Sequence, residues 1–482
     1  MKTLRIVFIG LVCAGLMTGC SKSEWTGDEL VNAALKEAPV TETIISVGLP
    51  NGENDTEAFL AAFAKTAGKI NPVVQLEEGV YHLDFVEIRE FCGVFRGMGM
   101  GKSVISTIAG LSDVLVKSLN RKVVLVKFVG GDVTVRDMTM TIPPAEMCPG
   151  VSRFHGIVQF CTLNPQYTSV NAYINAHVDH VEITGHLSNV KSGIRAETDY
   201  NAKDNTVPYG APHSIIDISV TNCYFNGLAD YGILIQHFKG GNIVIGRKNN
   251  GNLFDNISWA GVGLWSSLNV EALVEGNTFV NPTNSQYGID LNNSPYLGLL
   301  EPVQQNKVSV YKIQHNEFYL TGGATKKYEA AIYTEDLRRT KYPEEEMPAL
   351  VEVKNNKFNL INNPYSVFRT FHMSGMVIRN NQFNGDGQYG VMIRSNNPSV
   401  LNENGLMLGN NLANATFSKA SVYLDTNTRN WTLVGGNLGE TVVDLTNGAG
   451  NHLITGMNVN TSEEALGQRI SDNLEEMREA SK

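Results

Sequence analysis

Short runs of alternating apolar and polar residues, separated by Gly, Asn and Asp, fill the body of this chain. Alternation at that period predicts strands with one buried face. Two patterns recur. The first is Asn-x-Phe, at Asn252-Leu253-Phe254, Asn277-Thr278-Phe279, Asn316-Glu317-Phe318, Asn356-Lys357-Phe358 and Asn381-Gln382-Phe383. The second is a small residue, a β-branched one, then alternation: Gly156-Ile157, Gly193-Ile194, Gly232-Ile233, Gly261-Val262, Gly288-Ile289, Ala331-Ile332, Gly390-Val391 and Ser421-Val422. The tightest spacings, Phe254 to Phe279 and Phe358 to Phe383, are 25 residues. Short strands repeating near that period predict a β-solenoid and not a helical array. Asn accepts left-handed turn conformations, and Asn repeated at one corner stacks as a ladder, with Phe two residues on stacking inside.

Here the sequence resembles the pectin-lyase-like family of right-handed parallel β-helix proteins. The segment Asn51-Gly52-Glu53-Asn54-Asp55-Thr56-Glu57-Ala58-Phe59 strengthens the likeness. It opens a helix with Asp55 or Asn54 as N-cap and Gly68 as stop, followed by Val73 to Tyr81. The resemblance implies an all-β, single-stranded right-handed parallel β-helix over residues 43–460 with capping helices at both ends. Residues 461–482 read as the C-terminal one. Thr461 and Glu464 form a capping box, and Leu466, Ile470, Leu474 and Met477 form one apolar stripe.

A solenoid lets coils be aligned. With the small residue as zero, positions +1 and +3 are apolar in nearly every coil and point inward. Position +2 runs Arg195, Leu234, Gly263, Asp290, Tyr333, Met392, Tyr423, and +4 runs Glu197, Gln236, Trp265, Asn292, Glu335, Arg394, Asp425. A coil zeroed on Val367 adds Arg369 and Phe371. These outward columns are expected to face solvent, with Trp265, Tyr333 and Phe371 as an exposed aromatic row. Aromatics, amides and charges in one column suit sugar rings and hydroxyls. Arg195, Glu197, Gln236, His237, Trp265, Asn292, Arg369 and Phe371 are the expected glycan-binding residues. The insertions 198–214, 292–306 and 337–348 all follow this strand and would overhang its edge.

For chemistry, Asp290 and Glu335 are diagonal neighbours if their coils adjoin, with Cβ atoms about 8 Å apart from strand spacing and rise. That separation suits a carboxylate pair activating water in an inverting glycosidase. Tyr333 and Arg394 complete the expected catalytic set. A lyase instead needs a base for the proton α to a uronate carboxylate and a cation for that carboxylate. Arg369, Arg394 or Tyr333 would serve, with calcium held by Asp290, Glu335 and Asn292. Val178-Asp179-His180 resembles a pectate lyase motif without its flanking Trp, and reads as ordinary strand. The Asp-Asp doublet and Gly-His-Gly segment of polygalacturonase-type relatives are missing. The family therefore supplies a fold and no residue-by-residue site. The expected function is a polysaccharide lyase or glycoside hydrolase, the alternative a non-catalytic glycan-binding or adhesive surface protein.

Composition narrows the partners. With 38 Lys and Arg against 48 Asp and Glu, the net charge of -10 argues against sequence-independent nucleic-acid binding. Gly97 to Ser103 looks like a phosphate loop, but Arg96 stands where the motif needs Gly. It reads as a glycine-rich turn. Lys2 and Arg5 precede an apolar run from Ile6 to Met17, a secretory signal over 1–19. Leu16-Met17-Thr18-Gly19-Cys20 resembles the bacterial lipobox. The resemblance implies lipidation of Cys20, and Ser21 after it implies outer-membrane sorting, with residues 20–42 as a tether. Cys92, Cys148, Cys161 and Cys223 are too dispersed for a zinc site and read as buried small residues.

Overall fold

Alternating strands stack into coils because each buries its +1 and +3 side chains against the coils above and below. In the computed structural model the described residues are 42–460, apart from 109–122, 148–153, 163–171, 188, 199–213, 237, 239, 266, 268, 282–285, 293–308, 324–328, 337–348, 435–441, 447 and 456–458. The expected signal, Cys20, tether, C-terminal helix, Cys148, His237 and the bulk of the three insertions lie outside them. The body is a right-handed parallel β-helix. Three sheets run its length, and the pairing between successive coils is parallel throughout.

One sheet carries the site, through strands Val190–Thr198, Tyr231–Gln236, Ala260–Trp265, Tyr287–Asn292, Ala330–Glu335, Ser366–Phe371 and the ends of Gln382–Arg394 and Asn411–Leu424. Between the other two sheets the chain turns a tight corner. The residue before Asn277, Asn316, Asn356, Asn381 and Asn410 adopts a left-handed conformation: Gly276 at φ 69, His315 at φ 55, Asn355 at φ 55, Asn380 at φ 54 and Gly409 at φ 63. Asn or Gly tolerates that conformation, which explains the abundance of both.

Next, Asn252, Asn277, Asn316, Asn356, Asn381 and Asn410 stack as the expected buried ladder. Each amide donates to the next one's oxygen at 2.9–3.0 Å. Two residues on, Phe225, Phe254, Phe279, Phe318 and Phe358 stack at 4.7–5.0 Å between centroids.

The small residue at position zero also has a physical reason. A Cβ on Gly261 would stand 2.7 Å from the Phe279 ring, and one on Gly288 2.7 Å from the carbonyl oxygen of Ala331. The first occurrence is one residue out, since Gly156 pairs with Ser192 and not Gly193. The N-terminal helix spans Thr56–Ala64 and buries Phe59 and Phe63 against Phe95, with Phe63 also on Phe91 and Phe128. Asp55 is its N-cap by position, yet its carboxylate accepts from Asn51 N and His82 N, while Asn54 Oδ1 takes Thr56 N. Gly68 follows at φ 71. In the glycine-rich turn, Met98 N donates to Ser103 Oγ and Gly101 N to Thr139 Oγ1, so these amides are already bonded within the coil. Cys161 and Cys223 are buried as expected. Cys92 is exposed, because its strand turns that position outward.

Candidate functional site

The expected columns form in the expected register. Leu234 pairs with Gly263, Gly263 with Asp290, Asp290 with Tyr333, Tyr333 with Arg369, and Arg369 with Met392. In the other column Gln236 pairs with Trp265, Trp265 with Asn292, Asn292 with Glu335, Glu335 with Phe371, and Phe371 with Arg394. Asp290 and Glu335 are therefore diagonal neighbours on adjacent coils, a spacing of about 7–8 Å between such positions.

Solvent exposure is where the expectation fails. Asp290 is 1% exposed, Arg394 0% and Phe371 4%, and Arg195, Glu197, Gln236 and Arg369 are buried too. Trp265 and Tyr333 are only partly open, so the aromatic row is not an exposed one. Alternation says which way a side chain points and not what closes over it. Here the columns close on themselves. Arg369 lies over the Tyr333, Tyr365 and Phe371 rings at 5.9, 5.8 and 5.1 Å. Arg394 lies over Phe371 at 5.6 Å and Tyr423 at 6.0 Å, with Nε 3.5 Å from Asp425 Oδ2. The ring faces and the Asp425 carboxylate offset part of the desolvation cost of these buried guanidiniums.

A second departure concerns the start of each strand. Pairing skips position zero, with Tyr231 opposite Ala260 and then Ile233 opposite Val262. This irregularity turns position -1 outward. It brings Tyr231 onto the site face, where its hydroxyl donates to Asp290 Oδ2 at 3.0 Å. Trp259 Nε1 and Trp265 Nε1 donate to the same oxygen at 3.0 and 3.2 Å. Asp290 Oδ1 is buried and has no hydrogen-bond partner among the described residues. Burial pushes the Asp290 carboxyl up to about 6, against the three donors, which lower it.

Glu335 lies beside it. Tyr333 Oη donates to Glu335 Oε2 at 2.6 Å, and His372 Nδ1 stands 3.9 Å from Oε1. His372 Nε2 contacts Asn396 Oδ1 at 2.7 Å. Burial pushes Glu335 up to about 7; the Tyr333 hydrogen bond opposes this, and the Asp290 charge adds to it. Burial also pushes the Tyr333 phenol well above its ordinary value. Tyr231, Trp259 and His372 are members that sequence reasoning missed. The first sits on the skipped pairing, the second in a turn and the third at a left-handed corner with φ 55. None lies in an alternating column. A Tyr or Trp one or two residues before the small residue was the one available signal.

Arg195, Glu197 and Gln236 form a separate cluster along the same face. Glu197 Oε2 accepts from Gln236 Nε2 at 2.6 Å and Arg195 Nη2 at 3.3 Å, and Oε1 accepts from Gln159 Nε2. Asn292 Oδ1 is buried without a partner among the described residues. Asp179 accepts from Thr221 and Asn222, and His180 contacts Asp137, all at a corner. Within the calcium set expected for a lyase, Asp290 Oδ2 accepts three donors and Glu335 Oε2 accepts from Tyr333, while Asp290 Oδ1 and Asn292 Oδ1 have no hydrogen-bond partner among the described residues.

No family model and no functionally characterised protein sequence matches the chain. Solved parallel β-helix structures do resemble it. The chain is similar to the A-module of an Azotobacter vinelandii mannuronan C-5 epimerase, at 12% identity, covering 86% of this chain and 98% of that one with a TM-score of 0.43. It is similar to the catalytic unit of a GH87 alpha-1,3-glucanase from Streptomyces thermodiastaticus at 14% identity, 89% and 70% coverage and a TM-score of 0.46. A surface adhesin of Streptococcus pneumoniae matches at 14% identity, 79% and 93% coverage and a TM-score of 0.44. The chemistry has to be argued from this chain's own residues.

Proposed function

We propose that the protein is a carbohydrate-active β-helix enzyme that hydrolyses a glycosidic bond with Glu335 as general acid and Asp290 as general base. One observation carries the reading. Buried Asp290 and part-buried Glu335 stand diagonally on adjacent coils, and burial pushes both carboxyls up toward neutrality, where one of a pair can hold a proton while the other is ionised. Asp290 Oδ1 takes a proton from water as the water oxygen attacks the anomeric carbon. Glu335 gives its proton to the leaving oxygen, and diagonal spacing leaves room for that water. A lyase is less well supported. Raised far above its ordinary value, the Tyr333 phenol is a poor base, and Arg394 is sealed against Asp425.

Incubation of the full chain with mannuronan, alpha-1,3-glucan and other neutral and acidic glycans tests this. New reducing ends without absorbance from unsaturated uronates are expected; unsaturated product would decide for a lyase. The pH–rate profile should be bell-shaped, its acid limb near the Asp290 value of about 6 and its alkaline limb near the Glu335 value of about 7. Glu335→Gln should lower turnover by roughly 10²–10⁴ and erase the alkaline limb.

A second reading rests on the burial of Asp290. At 1% exposure, with three aromatic donors on one oxygen, it would also serve as the anchor of a non-catalytic glycan-binding face. Retention on a glycan gel without cleavage of any glycan would favour it.

We also propose that the protein is exported and held to the outer membrane through acyl chains on Cys20. Labelling with radioactive palmitate should mark the wild type and not Cys20→Ala, which should move to the soluble fraction.

A further inference from the structure

Trp259 stands in the turn between strands Leu253–Ile257 and Ala260–Trp265, outside every column that the repeat defines. Its backbone is clamped between coils, with N donating to Asp230 O at 3.0 Å and its carbonyl accepting from Tyr287 N at 2.7 Å. The indole is held by its edge, Nε1 to Asp290 Oδ2 at 3.0 Å. Tyr287 meets it at 84° and 5.9 Å, and no ring among the described residues stacks face to face on it. It is nonetheless 39% exposed, while Phe371, Tyr231 and Tyr287 on the same sheet are buried.

We infer that Trp259 is a binding platform for the apolar face of a pyranose ring, placed at the sugar unit next to the cleaved bond because the same indole touches Asp290. The inference rests on the reading of this face as a glycan site. It adds a specificity-determining residue that nothing in the repeat marks. An indole fixed at its edge has already lost its rotamer freedom, so a ring stacking on its open face meets a preorganised surface. The preferred ligand is a sugar whose C–H groups gather on one face. An axial hydroxyl on that face would lift the ring from the indole.

Two variants of the full chain separate stacking from the Asp290 contact. Nigero-oligosaccharides and mannuronan oligosaccharides are the probes, followed by intrinsic fluorescence and, on whichever glycan the wild type cleaves, by KM and kcat. Trp259→Phe keeps an aromatic face and loses the N–H. Binding should stay within about twofold, while the acid limb of the pH profile moves up because Asp290 loses one of the donors that lower it. Trp259→Ala should raise KM or Kd by about three- to tenfold, the range of an aromatic stacking contact. Thermal midpoints of both variants report folding, and the Phe variant carries the test if the Ala variant is unstable. Unchanged binding in a folded Trp259→Ala, or no binding of any probe by the wild type, overturns the platform. Probe binding lost in Trp259→Ala by a wild type that cleaves nothing would keep the platform and end the hydrolase reading. An acid limb that stays put in Trp259→Phe would overturn the placement beside the cleaved bond.

Discussion

Asp290→Asn should abolish turnover and, at pH 8, make the protein more stable. Both effects come from the same buried carboxyl. As general base it contributes roughly 10²–10⁴ to rate, and an amide takes no proton. The stability effect follows from linkage. Burial raises the folded value from 3.8 to about 6, so the folded state holds the proton more tightly than the unfolded chain. Below 3.8 both states are protonated and the group is neutral to stability. Between 3.8 and about 6 the unfolded chain ionises first, and stability falls as pH rises. Above that window the whole penalty is present, on the order of 3 kcal/mol for a shift of about two units.

Asn mimics the protonated form. Its oxygen can accept from Tyr231, Trp259 and Trp265, and its NH₂ replaces the Oδ1 that has no partner among the described residues. Urea midpoints at pH 4 and pH 8 check this, with the gain expected at pH 8 alone. A variant no more stable than the wild type at pH 8 would show that the carboxyl is better solvated than its burial implies. For the anchor reading, Asn should bind glycan as well as Asp does, so turnover and binding in this one variant separate enzyme from lectin-like surface.

Asn316→Ala should destabilise the central coils by about 3–5 kcal/mol, at the upper end for a single substitution. Asn316 is 1% exposed. Its Nδ2 donates to Val274 O and Asn356 Oδ1, and its Oδ1 accepts from both Asn277 N and Nδ2. Ala orphans a carbonyl and a backbone N–H in a dry corner, each at about 1–3 kcal/mol, and leaves a cavity under the Phe stack. Because coils contact only their neighbours, the damage should be local. Amide exchange at Asn277 and at the two adjoining strands should accelerate strongly, while the first coils keep wild-type protection. Uniform acceleration along the whole chain, or none, would contradict a ladder that acts rung by rung.

How far such features could be read in advance depends on whether a residue repeats. Asn316 and Phe318 recur at fixed offsets, so their stacking was legible, and the same offsets placed Asp290 diagonally to Glu335. Trp259 and His372 repeat nowhere. One occupies a turn whose neighbour in space, Asp290, lies 31 residues on, and the other a left-handed corner after the site strand. Tyr231 was missed because simple alternation would carry position -1 inward and the skipped pairing carries it out.

The sequence by itself determined the solenoid, its stacked Asn and Phe ladders and the register of the outward columns. Each follows from local alternation and from identical side chains favouring contact with their own copies one coil away. Only the tertiary structure decided that the columns are closed over, that three aromatic donors converge on one oxygen of Asp290, and that burial pushes the Asp290 and Glu335 carboxyls up. These depend on side chains from different coils and turns meeting in space and excluding water, and desolvation is a property of the assembled surroundings that no single strand encodes.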